Sequence, residues 1–332
     1  MLKNFYYNCN KLGSIKNLEI QEIRQRSLKK NHVRVQIHAI GINYVDILMI
    51  KGKYQHKKKA PFTPGIEASG IILEENCNNK KLINKKVIIT KKGGCFSEEI
   101  ETNLDEIIII PEKIDCALAA GSFVPYLTSY ISLIETAKLK KNENILITGA
   151  AGGVGTASIK LAKSIGANVV AIVSNNKKRN FVKKAGSDKI ILIDNKKLKN
   201  ISHYRNKYKI DTVLDITGLI KSKNLLSFLN WKGKYIIVGF MNENFYHIPA
   251  NYILIKGLSV FGVRAGEYLK RSKNKNKIIR NIIQMIKQDS INSFNYKIVN
   301  FNKLASCLNK LENRTSLGKN IVITKYYKKI NL

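Results

Sequence analysis

Asn144-Ile145-Leu146-Ile147-Thr148 runs directly into Gly149-Ala150-Ala151-Gly152-Gly153-Val154-Gly155. After the glycines comes a helical pattern with Ile159, Leu161, Ala162 and Ile165 as its apolar positions, closed by Gly166. A second apolar run, Asn168-Val169-Val170-Ala171-Ile172-Val173-Ser174, follows at once. Strand, helix and strand in that order make one βαβ unit with a right-handed crossover. The alternation continues with a helical pattern over 177–185, strand patterns over 190–193 and 211–216, a helical pattern over 222–228 and a strand pattern over 234–238. This is the texture of a doubly wound parallel sheet, so the fold class is α/β.

Ala150-x-Gly152-x-x-Gly155 is a phosphate loop with Ala in the place of its first glycine. Gly152 lets the backbone approach a pyrophosphate, and Gly155 lets the helix pack closely on the strand. The helix N-terminus then offers unpaired N–H groups and a partial positive charge. Glycines alone would also suit an ordinary strand-to-helix turn, but the βαβ context makes this a dinucleotide site. About 20 residues further on, a site for NAD places an acid on the ribose 2′-OH. Here the second strand ends in Ser174-Asn175-Asn176, followed by Lys177-Lys178-Arg179. With no carboxylate to repel a 2′-phosphate and three cations to pair with it, NADPH is the expected cofactor.

Residues 1–125 read as short strands and turns, with a strand pattern over 33–40 and four of the five prolines (Pro61, Pro64, Pro111, Pro125). After Arg264 the texture changes again, to a charged stretch at 270–277, a helical pattern over 278–286, a strand, a short helical pattern over 303–311 and a strand over 320–324. The simplest arrangement is a nucleotide-binding domain, 126–264, inserted between the two parts, 1–125 and 265–332, of one other domain.

The chain has 332 residues, a hydrophobic fraction of 44% and a formal net charge of +35. Recurrent apolar runs exclude a disordered chain. Five scattered cysteines exclude a disulfide-built fold, and none is spaced as a metal-binding pair. No apolar run is expected to reach the ~18–20 residues that span a bilayer. The polar N-terminus lacks the core of a signal peptide, and a reducing cytoplasm fits these features. The lysines are spread along the whole chain, together with many Asn and Ile whose codons are A/T-rich. Compositional drift accounts for that pattern; binding to a polyanion is the sharper alternative. Either way, adhesion to nucleic acid is expected to be nonspecific and salt-sensitive.

Further segments carry a resemblance: Gly41-Ile42-Asn43-Tyr44-Val45-Asp46, Gly52-Lys53-Tyr54-Gln55, Pro61-Phe62-Thr63-Pro64-Gly65-Ile66-Glu67-Ala68-Ser69-Gly70, Tyr126-Leu127-Thr128-Ser129-Tyr130, Val238-Gly239-Phe240, Ile248-Pro249-Ala250-Asn251 and Gly318-Lys319. With the phosphate loop, they make the chain resemble the medium-chain dehydrogenase/reductase superfamily, in its zinc-free, ζ-crystallin-like quinone oxidoreductase branch. The resemblance implies a Rossmann sheet inserted in a GroES-like, mainly β catalytic domain. It also implies a homodimer, for which the apolar stretch 258–262 is the candidate edge. Zinc relatives have Cys where this chain has Asn43 and His where it has Ile66, and neither replacement ligates tetrahedral zinc.

By the same resemblance Asn43, Asp46 and Tyr54 are the candidate catalytic residues. Asn43 can donate a hydrogen bond to a developing oxyanion, Tyr54 can donate one or relay a proton, and Asp46 orients its neighbours; a polar network with no part in the rate is the alternative. Candidate cofactor contacts are Thr128, Ala151, Gly152, Gly153, Val154, Gly155, Ser174, Lys178, Arg179, Gly239, Phe240, Val263 and Lys319. Ile193 stands where the branch often has an adenine-side tyrosine. Arg264 and Glu267 either close the site or form a surface pair. The histidines, His32, His38, His56, His203 and His247, show no metal spacing, and Cys95 reads as a structural thiol. Without a Lewis acid, hydride must go to an acceptor that is already electron-poor. A quinone is the first such acceptor; a 2-alkenal, enone or enoyl thioester is the second. A nucleic-acid-binding protein using the basic surface is the remote alternative.

Overall fold

A computed structural model describes residues 3–24, 26–193, 204, 207–241, 247–288 and 296–329. It divides the chain into two units, Met1–Phe123 with Ile286–Leu332, and Val124–Met285.

The first unit begins with a ribbon of β1 (Phe5–Cys9) and β2 (Leu18–Glu22). Next come β3 (His32–Gly41), α1 (Tyr44–Ile50), β4 (Glu67–Glu75), β5 (Lys86–Thr90), β6 (Glu99–Asn103) and β7 (Ile107–Ile109). β3 is buried at almost every position, because β4 and β6 both pair with it and its apolar side chains fill the unit's core. The sequence reading took this region as strands and turns and did not anticipate α1, whose almost continuously apolar run Val45-Asp46-Ile47-Leu48-Met49-Ile50 shows no helical period.

α2 (Cys116–Tyr130) continues as a π-helical turn over Ile131–Thr136. The 21-residue stretch Cys116–Thr136 contains an 18-residue window of mean hydropathy 1.4, which corrects the expectation that no apolar run reaches spanning length. Two of its hydroxyls bond back to the helix itself, Thr128 Oγ1 to the Val124 carbonyl and Ser129 Oγ to that of Pro125. With 83% of the window buried inside the fold, it is a core helix.

The second unit holds β8 (Asn144–Ile147), α3 (Gly153–Ile165), β9 (Asn168–Val173), α4 (Asn176–Lys184), β10 (Lys189–Leu192), β11 (Ile210–Asp215), α5 (Ser222–Phe228), β12 (Leu229–Ile237), α6 (Ala250–Lys256), β13 (Ser259–Gly262), α7 (Ala265–Arg271) and α8 (Lys275–Gln288). All six strands are parallel, in the order β10-β9-β8-β11-β12-β13. The order reverses between β8 and β11, the switch point at which such sheets bind ligands. Runs such as Ile145-Leu146-Ile147 are fully buried, as a parallel sheet covered on both faces requires. β12 starts at Leu229 rather than at residue 234, and α8 starts at Lys275 rather than at residue 278. Polar residues at these ends hide the periodicity. α6 and α7 went unread because α6 fully buries no residue and α7 only Leu269, so neither shows an apolar face.

The chain then returns to the first unit with β14 (Lys297–Asn300), α9 (Leu304–Glu312) and β15 (Asn320–Ile323). β15 pairs antiparallel with β3, which completes a seven-stranded sheet and brings the chain beside Gly41.

Candidate active site

Within the second unit, most of the candidate cofactor residues follow the carboxyl ends of the parallel strands, and Thr128 stands on α2. Thr148, just after β8, donates its hydroxyl to Asp215 Oδ1 at 2.7 Å and accepts the Ile216 N–H at 3.0 Å. The turn then closes with Gly152 N–H on the Gly149 carbonyl at 3.0 Å, and α3 starts at Gly153. Gly152 is the N-cap and carries no capping side chain, so the first N–H groups of α3 have no side-chain oxygen to satisfy them there. A Cβ on Gly155 would lie 2.4 Å from the Gly149 oxygen; one on Gly152 would meet only that oxygen, at 3.4 Å. Gly155 therefore serves the fold's own packing, while Gly152 leaves a space the protein does not fill. Ala151 is buried, and Gly153 and Val154 are partly exposed beside it.

Beyond β9, Asn175 caps α4 by accepting the Lys178 N–H at 2.9 Å, and Lys178 Nζ donates to Ser174 Oγ at 3.2 Å. Arg179 and Lys177 are exposed. No acid stands in this group, so it suits a dianionic phosphate. Ile193 is buried in the core of the unit.

After β12, a Cβ on Gly239 would come to 3.1 Å from the Ile216 oxygen, and the Phe240 ring lies against Gly218. Val263 is buried and donates its N–H to the Ile237 carbonyl at 2.8 Å, and Thr128 is half-buried on α2. Arg264 and Arg271 flank Glu267 at 3.9 and 2.6 Å in an exposed cluster, and Arg271 holds the Glu267 carboxyl below its ordinary range.

Asp215 is a residue the sequence reading missed. Fully buried, it accepts from Thr148 Oγ1, from the N–H groups of Thr217 and Gly218, and from the Tyr235 hydroxyl at 2.8 Å. One carboxylate thus fixes the ends of β8 and β11 together. The signal was an acid directly after the apolar pair Val213-Leu214, near the end of the strand pattern over 211–216.

The first unit contains a second polar cluster. Asn43 is the N-cap of α1, and Asp46 reaches back from the third helical position to accept its N–H at 2.8 Å. The other Asp46 oxygen accepts the Ile66 N–H at 3.2 Å. Asp46 is fully buried, and burial pushes its pKa up to about 7 against the pull of the Asn43 N–H and of Lys319.

Lys319, from just before β15, donates to Asn43 Oδ1 at 2.6 Å and to Glu67 Oε2 at 2.8 Å. A lysine can only donate, so the amide oxygen of Asn43 must face it. Both hydrogens of the Asn43 amide are then given to the Gly41 carbonyl and to Glu67 Oε2, each at 3.0 Å. Side-chain exposure is 4% for Lys319 and 0% for Glu67. Removing either charge from so buried a pair costs about 3–5 kcal/mol. Glu67 appeared in the sequence only as part of a motif, with no role assigned.

Tyr54 stands outside this cluster: its hydroxyl accepts from Gln55 at 3.4 Å and its ring meets His56 edge-on at 5.6 Å. Burial raises the Cys95 thiol far above its ordinary range, consistent with a structural thiol. His203 lies outside the described residues.

Residues 29–128 match the alcohol dehydrogenase GroES-like domain family, and residues 153–285 match the zinc-binding dehydrogenase family. Quinone oxidoreductase-like protein 2 of Bos taurus is 31% identical over 258 residues, 77% of this chain and 74% of that protein. The Escherichia coli quinone oxidoreductase crystallised with NADPH superposes with a TM-score of 0.83 at 22% identity, covering 96% of this chain and 99% of that one. The CurK enoyl reductase gives 0.80 at 20% identity, over 97% and 99% of the two chains. The chain belongs to the medium-chain dehydrogenase/reductase superfamily of oxidoreductases, in its quinone-oxidoreductase-like branch. The zinc in one family's description does not fit these residues. Asn43 and Ile66 offer no thiolate or imidazole, and among the described residues no group of three His, Cys, Asp or Glu could hold a metal.

Proposed function

We propose that the chain is a zinc-independent, NADPH-dependent reductase that transfers hydride to a quinone. One observation carries this reading: where a metal's ligands would be needed, the first unit holds Asn43, Ile66 and a buried Lys319–Glu67 pair. Such a site has no Lewis acid to activate an ordinary alcohol or ketone, so its acceptor must itself be electron-poor. When bound, NADPH supplies the hydride. Gly152, Gly153 and the start of α3 suit its pyrophosphate, and Ser174, Lys178 and Arg179 suit a 2′-phosphate.

A C=C bond conjugated to a carbonyl meets the same electronic requirement, and the fold shared with the CurK enoyl reductase supports a 2-alkenal, enone or enoyl-thioester reductase as the second reading. Five free cysteines support a reducing cytoplasm as the compartment. Among the described residues β13 is an edge strand, and Trp231, Leu254, Ile255 and Phe261 around it are exposed, which supports a homodimer formed along that edge.

The test is NADPH absorbance with a chelator present and an ortho-quinone, a 2-enal and an enoyl thioester in parallel, with NADH as the cofactor control. Oxidation with the quinone alone is the expected result. Oxidation with the enal or thioester alone reverses the two readings, and activity abolished by the chelator rejects zinc independence.

A further inference from the structure

The cluster in the first unit assigns hydrogen-bond capacity unevenly. Asn43, the residue whose type suggests an oxyanion donor, has no donor left: both amide hydrogens are spent on Gly41 and Glu67. Both Asp46 oxygens accept backbone N–H groups, and this side chain is fully buried. Lys319 is different. An ammonium has three N–H groups, and among the described residues Lys319 uses two of them, on Asn43 Oδ1 and Glu67 Oε2. A buried ammonium N–H left without an acceptor is costly, so the third calls for a water or a ligand oxygen. Of the cluster's side chains Asn43 is the half-buried one, and Lys319 Nζ stands one hydrogen bond behind it. An oxygen arriving at Asn43 finds no free amide hydrogen, while the Lys319 ammonium stands 2.6 Å from Asn43 Oδ1.

The geometry points to Lys319 as the electrophilic residue of the reductase: its third N–H holds the carbonyl oxygen of the acceptor, and Asn43 and Glu67 are its positioning residues. The inference rests on the reading of the chain as a reductase of a carbonyl conjugated to a C=C bond, and it holds for a quinone or an enone alike. NADPH is oxidised to NADP+ as its hydride passes to the acceptor, which is reduced by two electrons and left with a negative charge on that oxygen. One solvent proton then neutralises the oxygen. Lys319 keeps its own protons throughout and contributes a hydrogen bond that strengthens as the charge develops, the kind of term worth ~10²–10³ in rate. Glu67 supplies the counter-charge of the buried ammonium, and Asn43 fixes its direction.

The experiment compares wild type with Lys319→Arg, Lys319→Met and the double variant Lys319→Met/Glu67→Gln in the full chain. The double variant removes both halves of the Lys319–Glu67 pair and leaves neither charge without its partner, so it separates loss of the electrophile from loss of the fold, and circular dichroism checks that it is folded. Two quantities are read besides turnover: the NADPH dissociation constant by cofactor fluorescence, and binding of 4-nitrophenolate, a mimic of the reduced acceptor's oxyanion, by its absorbance. The expected result is a fall of about 100-fold in kcat/KM for the acceptor in the double variant. NADPH affinity stays within about twofold, nitrophenolate binding weakens at least about tenfold, and Lys319→Arg recovers part of each loss. Full turnover in the folded double variant overturns the inference. So does a loss confined to NADPH affinity, which would make Lys319 a cofactor contact. Wild-type protein that oxidises NADPH with none of the acceptors rejects the reductase reading. In that case nitrophenolate binding still decides whether Lys319 holds an oxyanion.

Discussion

Gly155 lies so close to Gly149 that a Cβ added to it would stand 2.4 Å from the Gly149 carbonyl oxygen and 2.5 Å from the Cα of Ala150. Backbone cannot yield as a flexible side chain does, so Gly155→Ala must push α3 away from β8, at a cost of about 1–3 kcal/mol or more. Gly152→Ala meets the same oxygen at 3.4 Å, an ordinary contact. The two substitutions should therefore part company. Gly155→Ala lowers the melting temperature by several degrees and NADPH affinity with it. Gly152→Ala melts within about 2 °C of wild type yet weakens NADPH binding about tenfold or more, since its methyl group enters the space left for phosphate. Thermal melts and cofactor titrations on both variants check this, and equal melting losses would show that Gly152 also serves the fold.

The preference for NADPH over NADH should be set by Ser174, Lys178 and Arg179. Lys178 Nζ, 3.2 Å from Ser174 Oγ, is held at the end of β9, and the proposed binding mode puts the ribose 2′-phosphate beside this pair. Ser174→Asp puts a like charge beside that phosphate, and a fall of about 10–100-fold in the NADPH-to-NADH ratio of kcat/KM is expected. Lys178→Ala should lower the ratio less and flatten its dependence on salt. A ratio unmoved by Ser174→Asp would place the selectivity elsewhere.

Much of the second unit was legible because a parallel sheet writes itself in uninterrupted apolar runs. Ile145-Leu146-Ile147 and Val169-Val170-Ala171-Ile172-Val173 need no partner to be identified as buried strands. The short helices α1, α6 and α7 were not legible although the equally short α5 was: α1 is almost continuously apolar, while α6 fully buries no residue and α7 only Leu269, so none shows a polar–apolar period. The candidate site divided in the same way. Gly152, Gly155 and the missing acid after β9 announce themselves locally. The pairing of Asn43 with Lys319, 276 residues apart, exists only once β15 has docked on β3. For that reason the family resemblance and the residue type suggested Asn43 as the donor, and only the fold shows that its amide hydrogens are spent.

Association should respond to charge placed on the edge of the parallel sheet. Among the described residues β13 pairs only with β12, and Leu254 is 81% and Phe261 37% exposed beside it. Leu254→Glu with Phe261→Lys should give a monomer by sedimentation velocity at concentrations where wild type is a dimer. Because each chain carries +35, wild-type dimer should become more abundant as salt is raised. A dimer that survives both substitutions uses another face.

Two buried groups of the first unit should pull the pH dependence of stability in opposite directions. His38 is buried and its pKa is lowered to about 4, chiefly by burial and then by Lys86. Between pH 4 and its ordinary value of 6.5 the unfolded chain binds a proton there that the folded chain does not, so stability falls as the solution is acidified. Asp46 is the reverse. Its pKa is raised from 3.8 to about 7, so through that interval the folded chain holds a proton that the unfolded chain has released, and stability falls as pH rises. The two contributions oppose each other over most of one window. Relative to wild type, His38→Gln should gain stability on going from pH 6.5 down to about 4.5, and Asp46→Asn should gain it on going up, each by at most about 1.4 kcal/mol per pH unit. Asp46→Asn should start from a lower baseline, because an amide oxygen can accept from one of the Asn43 and Ile66 N–H groups while its NH2 faces the other. Urea denaturation across that range measures both slopes. Slopes of the same sign in the two variants would contradict the assignment, since only groups displaced in opposite senses give opposite linkage.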